Sequence, residues 1–134
     1  MRIEIPKIVK KIALAEYAEE FGEQIIEVWV NPTRELLAEF GDLNVRSEEL
    51  LKKIRQPVKS DNLIEQLQAD SDLLQDDVAH WYAMIWSQGE NPVSPKEVTE
   101  LFNAAQESDP GFQKWLVDKT WTLIREHREV RKNA

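Results

Sequence analysis

Two histidines and no cysteine narrow the chemistry open to this chain. His80 follows Asp76 by four residues, so on a helix the two share a face and could hold a metal between them. Nothing within that helix completes a ligand set, and a histidine beside a tryptophan (here Trp81) more often packs or hydrogen-bonds than ligates. His127 stands among Arg125, Glu126 and Arg128 and reads as solvated. Without cysteine, disulfides, thiolate chemistry and cysteine-based zinc sites are excluded. Acidic groups occur at Glu16/Glu19/Glu20, Glu48/Glu49, Asp76/Asp77 and Glu97/Glu100. All-α nucleotide pyrophosphatases hold magnesium with such pairs on neighbouring helices. Here the pairs lie on short helices or at helix starts, where acidic side chains are favoured by the helix dipole anyway. Among 25 acidic residues some pairs arise by chance. The four glycines do not cluster into a phosphate loop, and no Ser/His/Asp constellation stands out. The residues therefore assign no catalytic group, no cofactor and no metal ligand.

The unusual residues are the five tryptophans, Trp29, Trp81, Trp86, Trp115 and Trp121. Each needs burial or a partner. Trp81, Trp115 and Phe112 read as core. Trp29 and Trp121 sit off the main apolar face of their elements, and exposed aromatic side chains mark contact surfaces. Trp29, Val117, Trp121 and Ile124 are thus the candidate protein-interaction residues, and binding or assembly outranks catalysis. The balance of 17 basic against 25 acidic residues gives a net charge of −8, which opposes general binding to nucleic acid or an anionic membrane. A helix-turn-helix reading fails on the same ground. The longest uncharged run, residues 78–89, is too short to span a bilayer, and the first residues lack an apolar signal core. These features fit a cytoplasmic protein.

The element that organises the chain is a helix over Asp61 to Ser87. Leu63, Leu67, Leu74, Val78, Trp81 and Ile85 recur at helical spacing, with no Gly or Pro between. Before it, Arg2-Ile3-Glu4-Ile5 alternates like a short strand that Pro6 ends. Residues 7–11 have no clear assignment. Leu14, Tyr17, Ala18 and Phe21 suggest a short helix ending at Gly22. Residues 24–30 form the clearest strand, with Ile26, Val28 and Val30 on one face and Ile25, Glu27 and Trp29 on the other. Residues 2–5 are its expected partner within the chain, and its edge is also open to pairing between copies. Asn31-Pro32 reads as the cap and first residue of a helix carrying Leu36, Leu37 and Phe40. A break over Gly41–Asn44 precedes a second helix, capped by Ser47, with Leu50, Leu51 and Ile54 facing inward. Ser94-Pro95-Lys96-Glu97 is a capping box with proline at the first helical position, opening a helix to about Ala105. Asp109-Pro110 opens the last helix, to about Val130, with one apolar stripe of Phe112, Leu116 and Leu123 and an opposite one of Val117, Trp121 and Ile124. The prediction is one domain, residues 1–134, mainly α. About five helices surround a long central helix, with a small two-stranded β element within 2–30, a helical part over 31–130 and a frayed basic tail at 131–134.

The passage from Gly22 to Ala38 resembles the opening of tail assembly chaperones from long-tailed siphophages and prophages. Members are small and acidic and begin with a short β element. They pass through a junction of Val-x-Val, a polar residue, Pro or Leu, and Arg or Glu three positions on. Val28, Val30, Asn31, Pro32 and Glu35 occupy those places. The resemblance covers the first 40 residues in detail and the remainder in character. It implies a non-enzymatic role in the bacterial host cytoplasm, in which the protein binds a tape measure or tail tube partner during tail assembly and self-associates. The alternatives are an all-α magnesium-dependent nucleotide hydrolase or a generic helical adaptor.

Overall fold

The computed structural model describes residues 1–57 and 60–133. It is mainly helical, with four helices and a small two-stranded antiparallel sheet among those residues. The strands are β1 (Val9–Ala13) and β2 (Ile25–Trp29), and the helices are α1 (Arg34–Ile54), α2 (Asp61–Ile85), α3 (Pro95–Ser108) and α4 (Pro110–Asn133).

The expected sheet exists, but residues 2–5 are not its first strand. β1 comes from the segment without a clear assignment, and its register pairs Val9 with Trp29 and Ala13 with Ile25. The physical reason lies in the segment after β2. Continuing that register would set residues 2–5 opposite residues 33–36, which Thr33 has already turned into the first turn of α1. The ladder closes at Asn31 instead. Its Oδ1 accepts the Ile8 N–H at 2.7 Å and its Nδ2 donates to the Pro6 carbonyl at 2.9 Å. Asn31 therefore ends the sheet rather than capping the helix. The cap is Thr33, whose hydroxyl accepts the Leu36 N–H at 3.2 Å.

Between the strands the chain makes two short 3-10 turns, Leu14–Glu16 and Glu19–Phe21, in place of a single helix. Gly22 ends the second with φ +62°, a conformation that a residue with a Cβ adopts only under strain. Tyr17 and Phe21 on these turns dock onto the start of α4. The rings of Phe21 and Phe112 stack at 4.6 Å, and the Tyr17 hydroxyl donates to Asp109 at 2.7 Å.

α1 runs unbroken through Gly41, whose missing Cβ faces open space, so no steric demand interrupts the helix there. The predicted break and the Ser47 cap are both absent, which is why four helices replace about five. A lone glycine costs a helix about 1 kcal/mol, too little to end one whose two flanks both pack on α2. α2 starts where expected, with the Ser60 hydroxyl accepting the Leu63 N–H, and ends at Ile85. It packs against both α1 and α3. The Ser94 capping box forms in full, and α3 extends three residues beyond the predicted end. α4 continues to Asn133; Ala134 and the side chains from Val130 onward lie outside the described residues.

The core gathers the second half of α2 (Ala79, Trp81, Tyr82, Ala83, Ile85), then Trp86, with the inner faces of the sheet, α3 and α4. On α4 the buried line is Phe112, Leu116, Thr120 and Ile124, a single face at four-residue steps. The two apolar stripes predicted to be opposed are the flanks of this one broad face, with Thr120 at its centre. Thr120 is fully buried because its hydroxyl is used twice, donating to the Leu116 carbonyl at 2.8 Å and accepting from Trp86 Nε1 at 3.3 Å.

Candidate partner-binding groove

The sequence-predicted contact residues do not form an exposed patch. Trp29 is 7% exposed and Ile124 1%, so neither is open to a partner in the folded chain. Trp29 lies off the strand's main face but is covered on the other side, with the Lys7 ammonium 5.0 Å from the ring centroid. Its indole N–H is buried with no hydrogen-bond partner among the described residues. Trp121 and Val117 are half-buried against the core. The Trp121 ring stacks on Trp81 at 5.2 Å with 10° between planes, meets Phe40 at 4.7 Å, and donates its N–H to the Tyr82 hydroxyl at 3.1 Å. These contacts make Trp121 the outer edge of an aromatic cluster rather than a free-standing probe. Burial also raises the Tyr82 phenol to a pKa of about 12, because removing the phenolate from water costs free energy.

His80 is exposed. Its Nδ1 donates to the Asp76 carbonyl at 2.8 Å, a bond within one helical turn that uses the nitrogen facing Asp76. Among the described residues no three His, Asp or Glu side chains are grouped to hold a metal ion. His127 borders a recess beside Ile3, Ile5 and Arg34. Among the described residues no helix is long and apolar enough to cross a membrane.

One buried carboxylate escaped the sequence reading. Glu27 is 4% exposed, although a charged residue on a two-faced strand reads as the solvent side. Its Oε1 accepts the Asn91 backbone N–H at 2.7 Å and the Asn91 side chain at 3.0 Å, and its Oε2 accepts the Glu90 N–H at 3.2 Å. A Cβ at position 89 would collide with this carboxylate, so the close approach requires Gly89. The Asn91 backbone N–H above all, aided by the other donors and the charge of Lys11, holds Glu27 below the ordinary carboxylate value against the opposing effect of burial. The latch fixes the α2–α3 connection to the sheet. A depressed folded-state pKa means that its contribution is complete above the ordinary glutamate value of 4.5 and is lost as pH falls through the lower folded value. Glu27→Gln should therefore unfold at lower urea than the parent at pH 7, with the gap closing as the pH is lowered below 4. A pH-independent gap between the two urea midpoints would refute this.

An exposed apolar surface lies elsewhere, on the projecting half of the α1/α2 hairpin. From Val45 to the end of α1 no side chain is buried, and in the first half of α2 only Leu67 is, outside the main core cluster. Leu51 and Ile54, predicted to face inward, are 44% and 41% exposed. The sequence period correctly placed them on the apolar face of α1, but that face outruns the core it packs on. With Leu50, Leu74, Val78 and Phe102 they line a groove of about 300 Å³ among α1, α2 and α3. Its polar lining is neutral: Ser47, Gln75, Thr99, Asn103 and Gln106 are among its residues. Among the described residues none of the lining side chains is charged, in a chain that is 31% charged. The other side of the same hairpin carries Arg46, Glu49, Lys53 and Asp70. Apolar walls with neutral hydrogen-bonding groups suit an apolar segment of another molecule. In comparisons with known proteins, the chain matches no family model, no curated protein and no solved structure.

Proposed function

We propose that this protein is a non-enzymatic assembly factor that holds an apolar helical face of a partner protein in the α1/α2/α3 groove. The observation that carries this reading is the uncharged, apolar lining of that groove on a projecting helical hairpin. A helix laid into a groove anchors by apolar side chains at three- and four-residue spacing. The surrounding net charge of −8 keeps such a complex in solution. The resemblance of residues 22–38 to tail assembly chaperones supplies the partner class: a tape measure protein, whose long helices expose apolar faces before a tail tube encloses them, or the tube subunit itself. On this reading the protein works in the cytoplasm of a bacterial host.

The test is co-production with the tape measure protein encoded in the same genomic neighbourhood. The expected result is a soluble complex, with the tape measure protein insoluble when made alone. Leu51→Glu and Ile54→Glu change exposed positions, so folding should persist while affinity falls at least about tenfold, the loss typical of a contact-centre residue. Leu73→Glu, at a 60% exposed site on the charged side of the hairpin, should bind like the parent. Undiminished binding by both groove variants would remove the groove from the mechanism. Hydrolysis of nucleoside triphosphates on addition of magnesium would overturn the non-enzymatic reading altogether.

A further inference from the structure

Residues 1–5 carry a strand pattern that the fold leaves unused. Ile3 and Ile5 alternate with Arg2 and Glu4, yet the segment has no regular secondary structure, and Ile3 and Ile5 are 81% and 83% exposed. Among the described residues they pair with no strand: β2 takes residues 9–13 as its partner, and Asn31 takes the Pro6 carbonyl and the Ile8 N–H at the point where the sheet closes, which turns residues 1–5 away from the ladder. The segment is also self-complementary. In an antiparallel pairing of two copies centred on Ile3, Ile3 faces Ile3, Met1 faces Ile5, and Arg2 of each chain faces Glu4 of the other. Opposite charges directly across a ladder stabilise it, and one two-fold axis generates both pairs. The same arrangement sets both isoleucines on one face of the new ribbon and every charge on the other.

We propose that residues 1–5 pair as an antiparallel strand with residues 1–5 of a second copy of this chain, centred on Ile3. This stands apart from the groove and from the identity of any partner held there. The pairing converts a solvated pair of isoleucines into a shared apolar strip and joins two molecules through their sheet ends, with both hairpin grooves left open.

Two experiments on the full-length protein test it. In sedimentation equilibrium the parent should show monomer–dimer behaviour. Arg2→Glu and Glu4→Arg should each weaken self-association about tenfold, since like charges then oppose one another twice per dimer. Mixed together, these two variants should associate as well as the parent does with itself, because every cross-strand pair is again of opposite sign. The doubly swapped chain, Arg2→Glu with Glu4→Arg, should also dimerise normally. Both charge reversals fall on exposed residues without an ion pair among the described residues, so folding is preserved. Independently, Ile3→Cys in this cysteine-free chain should give an intermolecular disulfide on mild oxidation, whereas Leu73→Cys should not. A parent that remains monomeric at all concentrations, single reversals that self-associate like the parent, or equal cross-linking at positions 3 and 73 would each overturn the proposal.

Discussion

Trp86→Ala should destabilise the protein by about 3–5 kcal/mol, the usual cost of removing a buried tryptophan. Trp86 has no exposed surface. Its ring meets Tyr82 at 5.0 Å and Phe102 at 6.0 Å, so its loss opens a cavity where α2, α3 and α4 converge. It also frees the Thr120 hydroxyl of one of its two bonds at the centre of the α4 face. Set against a typical domain stability of about 5–15 kcal/mol, this loss should leave a substantial unfolded population at 37 °C. Urea unfolding followed by circular dichroism measures it. Trp121→Ala removes a ring that is still partly in water and should cost roughly half as much or less, because part of its surface was never buried. Equal losses for the two variants would mean that Trp121 belongs to the core in full. Trp86→Phe separates packing from polarity: it should recover most of the stability, short of the bond to Thr120.

Tyr82 gives the second large effect, at alkaline pH. Burial raises its pKa from 10.0 to about 12, so the folded chain keeps a proton that the unfolded chain releases. Its stabilisation is complete below pH 10 and is lost as pH rises from 10 towards 12. Over that window the loss approaches about 2–3 kcal/mol. Tyr82→Phe carries no such dependence. At pH 7 the variant should be about 1 kcal/mol less stable, having lost the oxygen that accepts the Trp121 indole at 3.1 Å. Approaching pH 12 the order should reverse, with the variant the more stable. Urea midpoints for both proteins at pH 7, 10 and 11.5 would display the crossing, and parallel curves would refute it. Tyr17 supplies the contrast. Its hydroxyl donates to Asp109 at the surface, and that bond is the main reason its pKa is raised, so Tyr17→Phe should not remove the large alkaline slope.

Much of the fold was legible because its signals are local. The Ser94-to-Glu97 capping box, Pro95 and Pro110 at helix starts, and the glycine- and proline-free run from Asp61 act within a turn or two, and each formed as expected. The apolar period of α2 picked out Trp81 and Ile85 correctly as core. Three expectations failed where a distant segment decided the outcome. Residues 2–5 have strand character, but the register of β2 is taken by residues 9–13. Asn31 is a good cap by type, but its amide is drawn into closing the sheet. Gly41 reads as a break, but Leu36 before it and Leu43 after it are both buried in the core, which carries the helix through.

The candidate sites divide along the same line. Trp29 lies off the main face of its strand and Ile124 on the second stripe of α4; Trp29 is buried because β2 is covered on both faces, and Ile124 because both stripes belong to one broad buried face. Leu51 and Ile54 face inward by period, and they are exposed because they border an open groove that α3 leaves unfilled. Glu27 gave no sequence signal, since its donors lie more than sixty positions away.

By itself, then, the sequence determined an acidic, cysteine-free, mainly helical chain with one long central helix, a small β element and well-marked helix starts. Periodicity and capping are short-range physics and can be read along the chain. The tertiary structure alone decided which apolar face is covered, which carboxylate is buried and which strand finds a partner. Burial depends on what the rest of the chain brings to each surface, and no local pattern records that. Among the described residues, the groove on the projecting hairpin and the unused strand at residues 1–5 are surfaces where the chain's own covering runs out.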